Sequence, residues 1–322
     1  MQRAYAQSVQ ATKRESNEQA FAVLVDRLAR QSVAKHYDAF TDVPWDDQEY
    51  AIRDDDPRWS LNPMEPLGAT SWYRSLPVEV RARIGLHHYA SLMKIGIEFE
   101  NVLQRGLLEF ALTLPPRAPE FRYLHHEVIE ESQHSLMFHE FIRRTGLPVQ
   151  GMPKPLLLAS RFVVRLARRF PELFFFFVLG GEEPIDYVQR ALLREADAVH
   201  PLLRRIMQIH VTEEARHVCF ARAFLRLHVP QLPYHRRVLL SLRVPLLLGQ
   251  MAQLMLQPSR QLALTYGIPR QVLREAYWDN PVHRARLAAS VKKVHDLCAE
   301  LGLLNPSSSW LWAKVGIGGA VV

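Results

Sequence analysis

Two short motifs place a carboxylate and an imidazole one helical turn apart. Glu131 and His134 form one Glu-x-x-His motif, and Glu214 and His217 form a second. Residues i and i+3 lie on one face of a helix, so each pair can bind one metal ion. On the order of one such motif is expected by chance in a chain of this length. Two of them, each inside a long helical segment, indicate a metal site.

The order of the motifs matches a known bundle arrangement for two metal ions. In that arrangement each Glu-x-x-His helix is accompanied by another helix that adds one glutamate. The segment before the first motif offers Glu98 and Glu100. The apolar residues of 92–110 lie on the side of Glu100, and a carboxylate inside an apolar stripe is costly unless it is paired or bound to metal. We therefore predict Glu100 as the ligand.

The segment before the second motif offers Glu182 and Glu183. Phe176, Leu179 and Tyr187 share a helix face with Glu183, which favours Glu183 and leaves Glu182 as the alternative. His210 precedes Glu214 by four residues and lies on the same face, so it adds a third imidazole. Carboxylate and imidazole donors without thiolates suit iron, with manganese as a substitute. The predicted metal ligands are Glu100, Glu131, His134, Glu183, His210, Glu214 and His217.

A second glutamate stands directly before each motif. Ligand histidines usually donate their other ring nitrogen to a carboxylate, which fixes the orientation of the ring. We therefore predict that Glu213 holds His134 across the bundle. In the same way, Glu130 is predicted to hold His217. Arg216 is predicted to pair with one of these two acids.

Helical periodicity dominates the chain from Pro77 onward, and strand alternation is absent over most of it. We predict an all-α, ferritin-like helical bundle with a di-iron core and extra C-terminal helices, in one domain. Residues 1–76 would form an N-terminal helix (16–36) and an irregular lead-in, 77–230 the metal-binding bundle, and 231–322 accessory helices and a Gly-rich tail. Proline and glycine set the predicted helices at 77–114, 118–145, 154–169, 171–200 and 201–227, with two or three more between 233 and 303.

Four segments resemble the AurF-type di-iron N-oxygenases, the p-aminobenzoate N-oxygenase family of ferritin-like proteins. They are GIEFENVLQRGLLEF (96–110), EESQHSLMFHEFIRRTG (130–146), EEPIDYVQR (182–190) and HVTEEARHVCFAR (210–222). The resemblance covers about residues 35–230 and is less clear beyond 230. It places the seven ligands of that family on the seven residues predicted above, including the third histidine.

The resemblance implies an O2-activating, non-haem di-iron monooxygenase. In that family a peroxo-di-iron species oxidises an amine, typically an aryl amine, through hydroxylamine toward nitro. It further implies a small-molecule amine and O2 as substrates, an external electron donor and a homodimer. Alternatives remain a di-iron hydroxylase or desaturase of another apolar or carrier-bound substrate, a non-enzymatic ferritin-like metal-binding protein, and a helical interaction module with a degenerate site.

Composition narrows the function classes further. The 322 residues include 40 Lys+Arg, 33 Asp+Glu and only two Cys, which excludes a disulfide scaffold and a four-thiolate zinc site. The arginines are scattered without interleaved stacking aromatics, so no nucleic-acid partner is expected. The N-terminus lacks the apolar core of a secretory signal, and the apolar runs Leu173–Leu179 and Leu239–Leu256 are interpreted as buried helix segments. We expect a cytoplasmic protein with no stable membrane insertion.

Overall fold

The computed structural model describes residues 2–195 and 198–317, and this part of the chain is all-α, without a β-strand. Short 3-10 turns lie at Gln48–Tyr50, Pro57–Trp59 and Val229–Gln231, and a π-helical turn lies at Arg274–Trp278. The α-helices are α1 (Gln2–Ala34), α2 (Ser71–Ser75), α3 (Val78–Ala111), α4 (Glu120–Thr145), α5 (Lys154–Arg169), α6 (Pro171–Leu193), α7 (Pro201–His228), α8 (Tyr234–Leu256), α9 (Arg260–Thr265), α10 (Arg270–Leu273), α11 (Pro281–Ser290), α12 (Lys292–Glu300) and α13 (Pro306–Lys314).

Four of these helices form the central bundle. Helix α3 packs along α4, α6 packs along α7, and the two pairs meet through α3 with α6 and α4 with α7. Helix α1 covers α4 and α7, α5 covers α3 and α6, and α8 lies along α6. The all-α, ferritin-like prediction is confirmed.

Proline and glycine set the helix ends as the sequence indicates. Pro77 precedes the first turn of α3, and Pro201 occupies the first turn of α7, where its missing N–H has no intrahelical partner to lose. Gly146 ends α4 in the left-handed conformation with φ of 62°, which glycine adopts without a Cβ penalty. Helices α3, α4 and α7 therefore begin and end within a few residues of their predicted bounds.

The irregular lead-in packs against the bundle instead of extending from it. Trp59 is fully buried and stacks on His200 with ring centroids 3.9 Å apart. Its carbonyl oxygen approaches α3 so closely that a Cβ on Gly85 would lie 1.9 Å from it. Glycine at position 85 is therefore required by the close passage of the two backbones.

Three expectations about the elements need correction. Helix α1 begins at Gln2 and not at residue 16, and α6 ends at Leu193 instead of continuing to 200. Five α-helices, not two or three, lie between 233 and 303, and a further helix, α13, follows them before the predicted tail. Frequent proline and glycine cut this region into helices too short to show clear periodicity. Most of the predicted Gly-rich tail lies outside the described residues.

The apolar run Leu173–Leu179 is buried in the core, as predicted. One segment, Tyr234–Thr265, is long and apolar enough by length and composition to cross a membrane, and half of its most apolar window is buried inside the protein. A core helix of a soluble protein passes the same test.

Candidate metal centre

A group of buried carboxylates and imidazoles lies in the middle of the bundle, and all four bundle helices contribute to it. Overlapping sets of three ligand atoms lie within 4.8 Å of one another, which is close enough to share a metal ion. Helix α3 supplies one glutamate, α4 a Glu-x-x-His pair, α6 one glutamate, and α7 a His-x-x-x-Glu-x-x-His face. The metal cluster, as we call it below, comprises Glu100, Glu131, His134, Glu182, His210, Glu214 and His217, all buried.

Two glutamates lie between the two motif histidines. The Nδ1 atom of His134 is 3.5 Å from Glu131 and 3.3 Å from Glu214. The Nδ1 atom of His217 is 3.0 Å from Glu131 and 3.1 Å from Glu214. Each carboxylate therefore faces both imidazoles. This near-symmetric arrangement is suited to two metal ions that share both carboxylates.

The structure places Glu100, and not Glu98, in the metal cluster. One Glu100 oxygen accepts a hydrogen bond of 2.8 Å from the Ser135 hydroxyl, and the other lies 3.8 Å from His210 Nε2. Glu98 instead pairs with Lys94 and accepts a 2.6 Å hydrogen bond from the Met152 backbone N–H. The apolar stripe of α3 thus indicated the correct face of the helix.

On α6 the structure favours the alternative residue. Glu182 is buried beside His210 and Glu214 in the metal cluster. Glu183 points elsewhere and forms an ion pair with Arg222 of α7. The structure therefore places Glu182, and not the predicted Glu183, in the metal cluster.

The apolar stripe favoured Glu183 because α6 is buried on more than one side. A Cβ on Gly181 would lie 2.0 Å from the Phe99 ring of α3, so the Gly181 side faces the bundle interior. A Cβ on Gly180 would instead contact Leu248 of α8. The apolar stripe that contains Gly180 therefore marks the face covered by α8. An apolar stripe locates the bundle interior only when the opposite face of the helix is exposed.

His210 joins the metal cluster from α7, as predicted. Its Nε2 atom lies 3.8 Å from both Glu100 and Glu214, and its Nδ1 atom has no hydrogen-bond partner among the described residues. Burial lowers the pKa of His210 to about 4. The imidazole is therefore neutral at pH 7, which is the form that binds a metal ion.

The predicted outer contacts of the histidines are present. His134 Nε2 lies 2.9 Å from Glu213, and His217 Nε2 lies 2.7 Å from Glu130. Arg216 donates to Glu130 at 2.7 Å and also approaches Glu213 at 3.4 Å. The backbone N–H of Tyr37 in the lead-in donates to Glu213 at 3.2 Å. With both Nε2 atoms held by carboxylates, both Nδ1 atoms are directed at the metal cluster.

The buried carboxylates of the metal cluster favour the binding of cations. Burial, followed by the charge of Glu131, raises the pKa of Glu100 well above its usual value, and burial with the charge of Glu214 does the same for Glu182. Among the cluster atoms without a hydrogen-bond partner are both oxygens of Glu131, one oxygen of Glu214 and Nδ1 of His134. Buried polar atoms in this density are costly unless they bind a metal. The donor set is the oxygen-and-nitrogen mixture that iron takes, so these residues fit a di-iron centre.

A cavity of about 100 Å³ reaches the metal cluster at Glu100, Glu182 and His210. Its lining includes His88, which is twelve residues before Glu100 on α3 and therefore roughly 18 Å away along the helix. The lining residues of α3 therefore extend over about three turns of the helix. Close to the metal cluster its wall is apolar and includes Gly96, Phe99, Phe138, Gly181, Ile185 and Met207.

The end of the cavity near His88 is polar. Glu65 lies 3.7 Å from the Arg286 guanidinium and accepts a hydrogen bond of 2.6 Å from the Tyr277 hydroxyl. Burial lowers the pKa of His88, which keeps this imidazole neutral. Residues of the lead-in and of the C-terminal helices therefore close the cavity, although sequence reasoning assigned them no part in the site.

Sequence reasoning also missed two buried residues on α4. Glu127 lies with Glu131 and His217 in a group that can hold an ion, and Tyr123 lies one turn earlier on the same helix. The spacing Tyr123-x-x-x-Glu127-x-x-x-Glu131 was the available signal, because residues at i and i+4 share a helix face.

The fold and the metal cluster define a ferritin-like, all-α bundle protein with a buried carboxylate-histidine cluster that is able to hold metal ions. Comparison with protein families identifies the family of the chain. The family model of the p-aminobenzoate N-oxygenase AurF matches residues 18–302, and the chain belongs to that family. Membership supports oxygenase chemistry of the di-iron type.

The curated relatives match most of the length of the chain. Uncharacterized proteins of Mycobacterium bovis and Mycobacterium tuberculosis are 36% identical over 299 residues, which cover 93% of this chain and 88% of theirs. No solved structure matches the chain.

Proposed function

We propose that this protein is an O2-dependent di-iron monooxygenase that oxidises the nitrogen of a small amine toward hydroxylamine and nitro. The observation that carries the proposal is the metal cluster, in which Glu131 and Glu214 each face both motif histidines within 3.5 Å. Family membership supports the oxygenase class. The proposed iron ligands are Glu100, Glu131, His134, Glu182, His210, Glu214 and His217.

The bound iron pair would supply O2 activation and redox capacity, and the protein supplies geometry and exclusion of water. Glu213 and Glu130 hold the two motif imidazoles, while Ser135 holds one oxygen of Glu100. Phe99 and Phe138 form part of the dry wall next to the metal cluster. These contacts fix the ligands before substrate arrives, so little reorganisation is needed during reaction.

The cavity limits the substrate by size and shape. An apolar protein cavity of roughly 150 Å³ is known to bind benzene, so a cavity of about 100 Å³ suits a single slender ring or a short chain. Since Arg286 already pairs with Glu65, the polar end carries charges of both signs. We propose an amine whose apolar body lies along α3 and whose nitrogen faces Glu100, Glu182 and His210.

The decisive experiment is a single-turnover reaction with isotopically labelled oxygen. Protein loaded with two equivalents of Fe(II) is exposed to ¹⁸O2 in the presence of a panel of aryl and alkyl amines, and products are analysed by mass spectrometry. We expect a hydroxylamine or nitro product that carries ¹⁸O. A Glu131→Ala variant, which loses a carboxylate shared by both histidines, should give no product.

A specific observation favours one second candidate. The cavity wall beside Glu100 and Glu182 is apolar, which also suits a short acyl chain, so hydroxylation or desaturation of such a chain is the alternative. The same panel, extended with fatty acyl compounds, separates the two. Oxygenated or unsaturated carbon products without any N-oxide would replace the amine proposal, and oxidation of iron without an organic product would indicate an iron-handling protein.

A further inference from the structure

A fifth glutamate lies beside the metal cluster. Glu127 is one turn before Glu131 on α4 and has no exposed surface. A carboxylate oxygen of Glu127, one of Glu131 and a ring nitrogen of His217 all lie within 4.8 Å of one another. This geometry is that of three ligands around one ion, and it is separate from the groups that contain Glu100 and Glu182.

The Glu127 carboxylate interacts with the Tyr123 hydroxyl, but neither of its oxygens makes a hydrogen bond of ordinary geometry among the described residues. By contrast, Glu130 and Glu213 are held by Arg216 and by the Nε2 atoms of the two motif histidines. A fully buried carboxylate without such partners is costly, so a cation beside His217 would stabilise its charged form.

The position of Glu127 differs from that of the ligands next to the cavity. Glu100, Glu182 and His210 line the cavity, whereas Glu127 approaches the metal cluster beside His217 and lies outside the lining. A ligand at this position leaves the substrate side of the cluster unobstructed. It also makes the two metal positions unequal.

We propose that Glu127 binds the metal ion next to His217 directly, as a fifth glutamate ligand of the di-iron centre. The inference rests on the metal centre of the proposed function and adds one residue to it. Four glutamates balance the charge of two divalent ions. A fifth makes the centre more negative, which favours the trivalent state and lowers the reduction potential of the iron beside His217.

The test compares Glu127→Gln with a matched control, Glu172→Gln. Glu172 is also a buried glutamate with an unpartnered oxygen, but it lies in the first turn of α6 and belongs to none of the candidate metal groups. The full-length proteins are titrated anaerobically with Fe(II), iron per chain is measured, and Mössbauer spectra are recorded with ⁵⁷Fe. No organic substrate is needed for any of these measurements.

We expect wild type and Glu172→Gln to bind two irons with two distinct quadrupole doublets. In Glu127→Gln one iron should bind at least about tenfold more weakly, since even outer contacts of metal ligands contribute 10–100-fold. Only one doublet should change, and the reduction potential should rise. Glu127→Asp, which keeps the charge, should recover part of the affinity and guards against a folding defect of the Gln variant.

The outcomes separate this inference from the function it rests on. If wild type binds two irons and Glu127→Gln shows unchanged affinity, doublets and potential, then Glu127 is not a ligand and the proposed function stands. If both doublets collapse equally in Glu127→Gln and Glu127→Asp, the residue is structural and the proposal is rejected. If wild type itself does not bind two irons, the proposed metal centre fails first.

Discussion

Exchanging the two adjacent glutamates of α6 for glutamine should produce opposite effects on metal binding and on folding. Glu182 shares a candidate ion site with His210 and Glu214, whose ligand atoms all lie within 4.8 Å of each other. Glu183 pairs with Arg222 and has no place in that group. Glu182→Gln should therefore lose iron, and Glu183→Gln should keep it.

The size of the effect follows from the geometry. An ion held among such closely spaced atoms is no more than about 4 Å from the Glu182 carboxylate, and a unit charge pair at that distance contributes about 4 kcal/mol at an effective dielectric of about 20. This corresponds to nearly 10³-fold in affinity, since 1.4 kcal/mol is tenfold. We expect Glu182→Gln to hold about one iron per chain under conditions that give two in the wild type.

Folding stability should respond in the reverse order. Glu183→Gln leaves the largely buried Arg222 guanidinium without its carboxylate, which should lower the free energy of unfolding by about 1–3 kcal/mol. Glu182→Gln should leave the stability of the metal-free protein near the wild-type value, because burial already raises the pKa of Glu182 and favours its neutral form. Urea unfolding of the metal-free proteins and iron analysis of the loaded ones measure both effects. Loss of iron in Glu183→Gln, with full iron in Glu182→Gln, would refute the assignment.

Three further predictions concern the surroundings of the metal cluster. Glu130→Ala and Glu213→Ala should each weaken iron binding about 10–100-fold, because each removes the carboxylate that holds the Nε2 atom of a proposed ligand histidine. Competition with a chelator measures the iron affinity. Unchanged affinity in both variants would show that these contacts are dispensable. Gly181→Ala places a Cβ 2.0 Å from the Phe99 ring and should lower the free energy of unfolding by about 1–3 kcal/mol. Because Phe99 lines the cavity, the variant should also show a higher KM for substrate at unchanged iron content. A wild-type KM would mean that the cavity is not the substrate site. Burial raises the pKa of Glu127 to about 8 in the metal-free protein, so the folded state binds this proton more tightly than the unfolded state. The free energy of unfolding should therefore fall as pH rises from about 4.5 to 8. Urea unfolding at several pH values should show a weaker pH dependence in Glu127→Gln, and an identical pH dependence would contradict the burial argument.

The sequence was sufficient to predict most of the metal cluster because the chemistry restricts the ligand spacing. Glu131, His134, Glu214 and His217 follow a fixed i, i+3 spacing, and the structure brings all four together. Glu100 could be chosen because the opposite face of α3 carries partly exposed residues such as Glu98. When only one face of a helix is buried, its apolar stripe shows which side faces the protein interior.

The same reasoning failed where burial is not one-sided. Helix α6 contacts the bundle through Gly181 and α8 through Gly180, so apolar residues occupy both faces. Periodicity then cannot distinguish Glu182 from Glu183, because the second face is covered by a helix some 60 residues later in the chain. The short helices after α8 were undercounted for a related reason, since elements of four to ten residues span too few turns to establish a period.

The doubled glutamates before each motif explain how the metal cluster is held as one unit. In Glu130-Glu131 and Glu213-Glu214 the second glutamate faces the histidines within the cluster, while the first reaches across to the histidine of the other helix. The contacts are therefore crossed: α4 orients His217 of α7, and α7 orients His134 of α4. Arg216 donates hydrogen bonds to both outer carboxylates. Burial opposes ionisation of Glu130, but the hydrogen bond and charge of His217, together with Arg216, lower the pKa of Glu130 to about 2. Because each motif histidine is held at Nε2 by a carboxylate of the other helix, the full ligand geometry forms only when α4 and α7 are packed together, and misplacing either helix should disturb both metal positions at once.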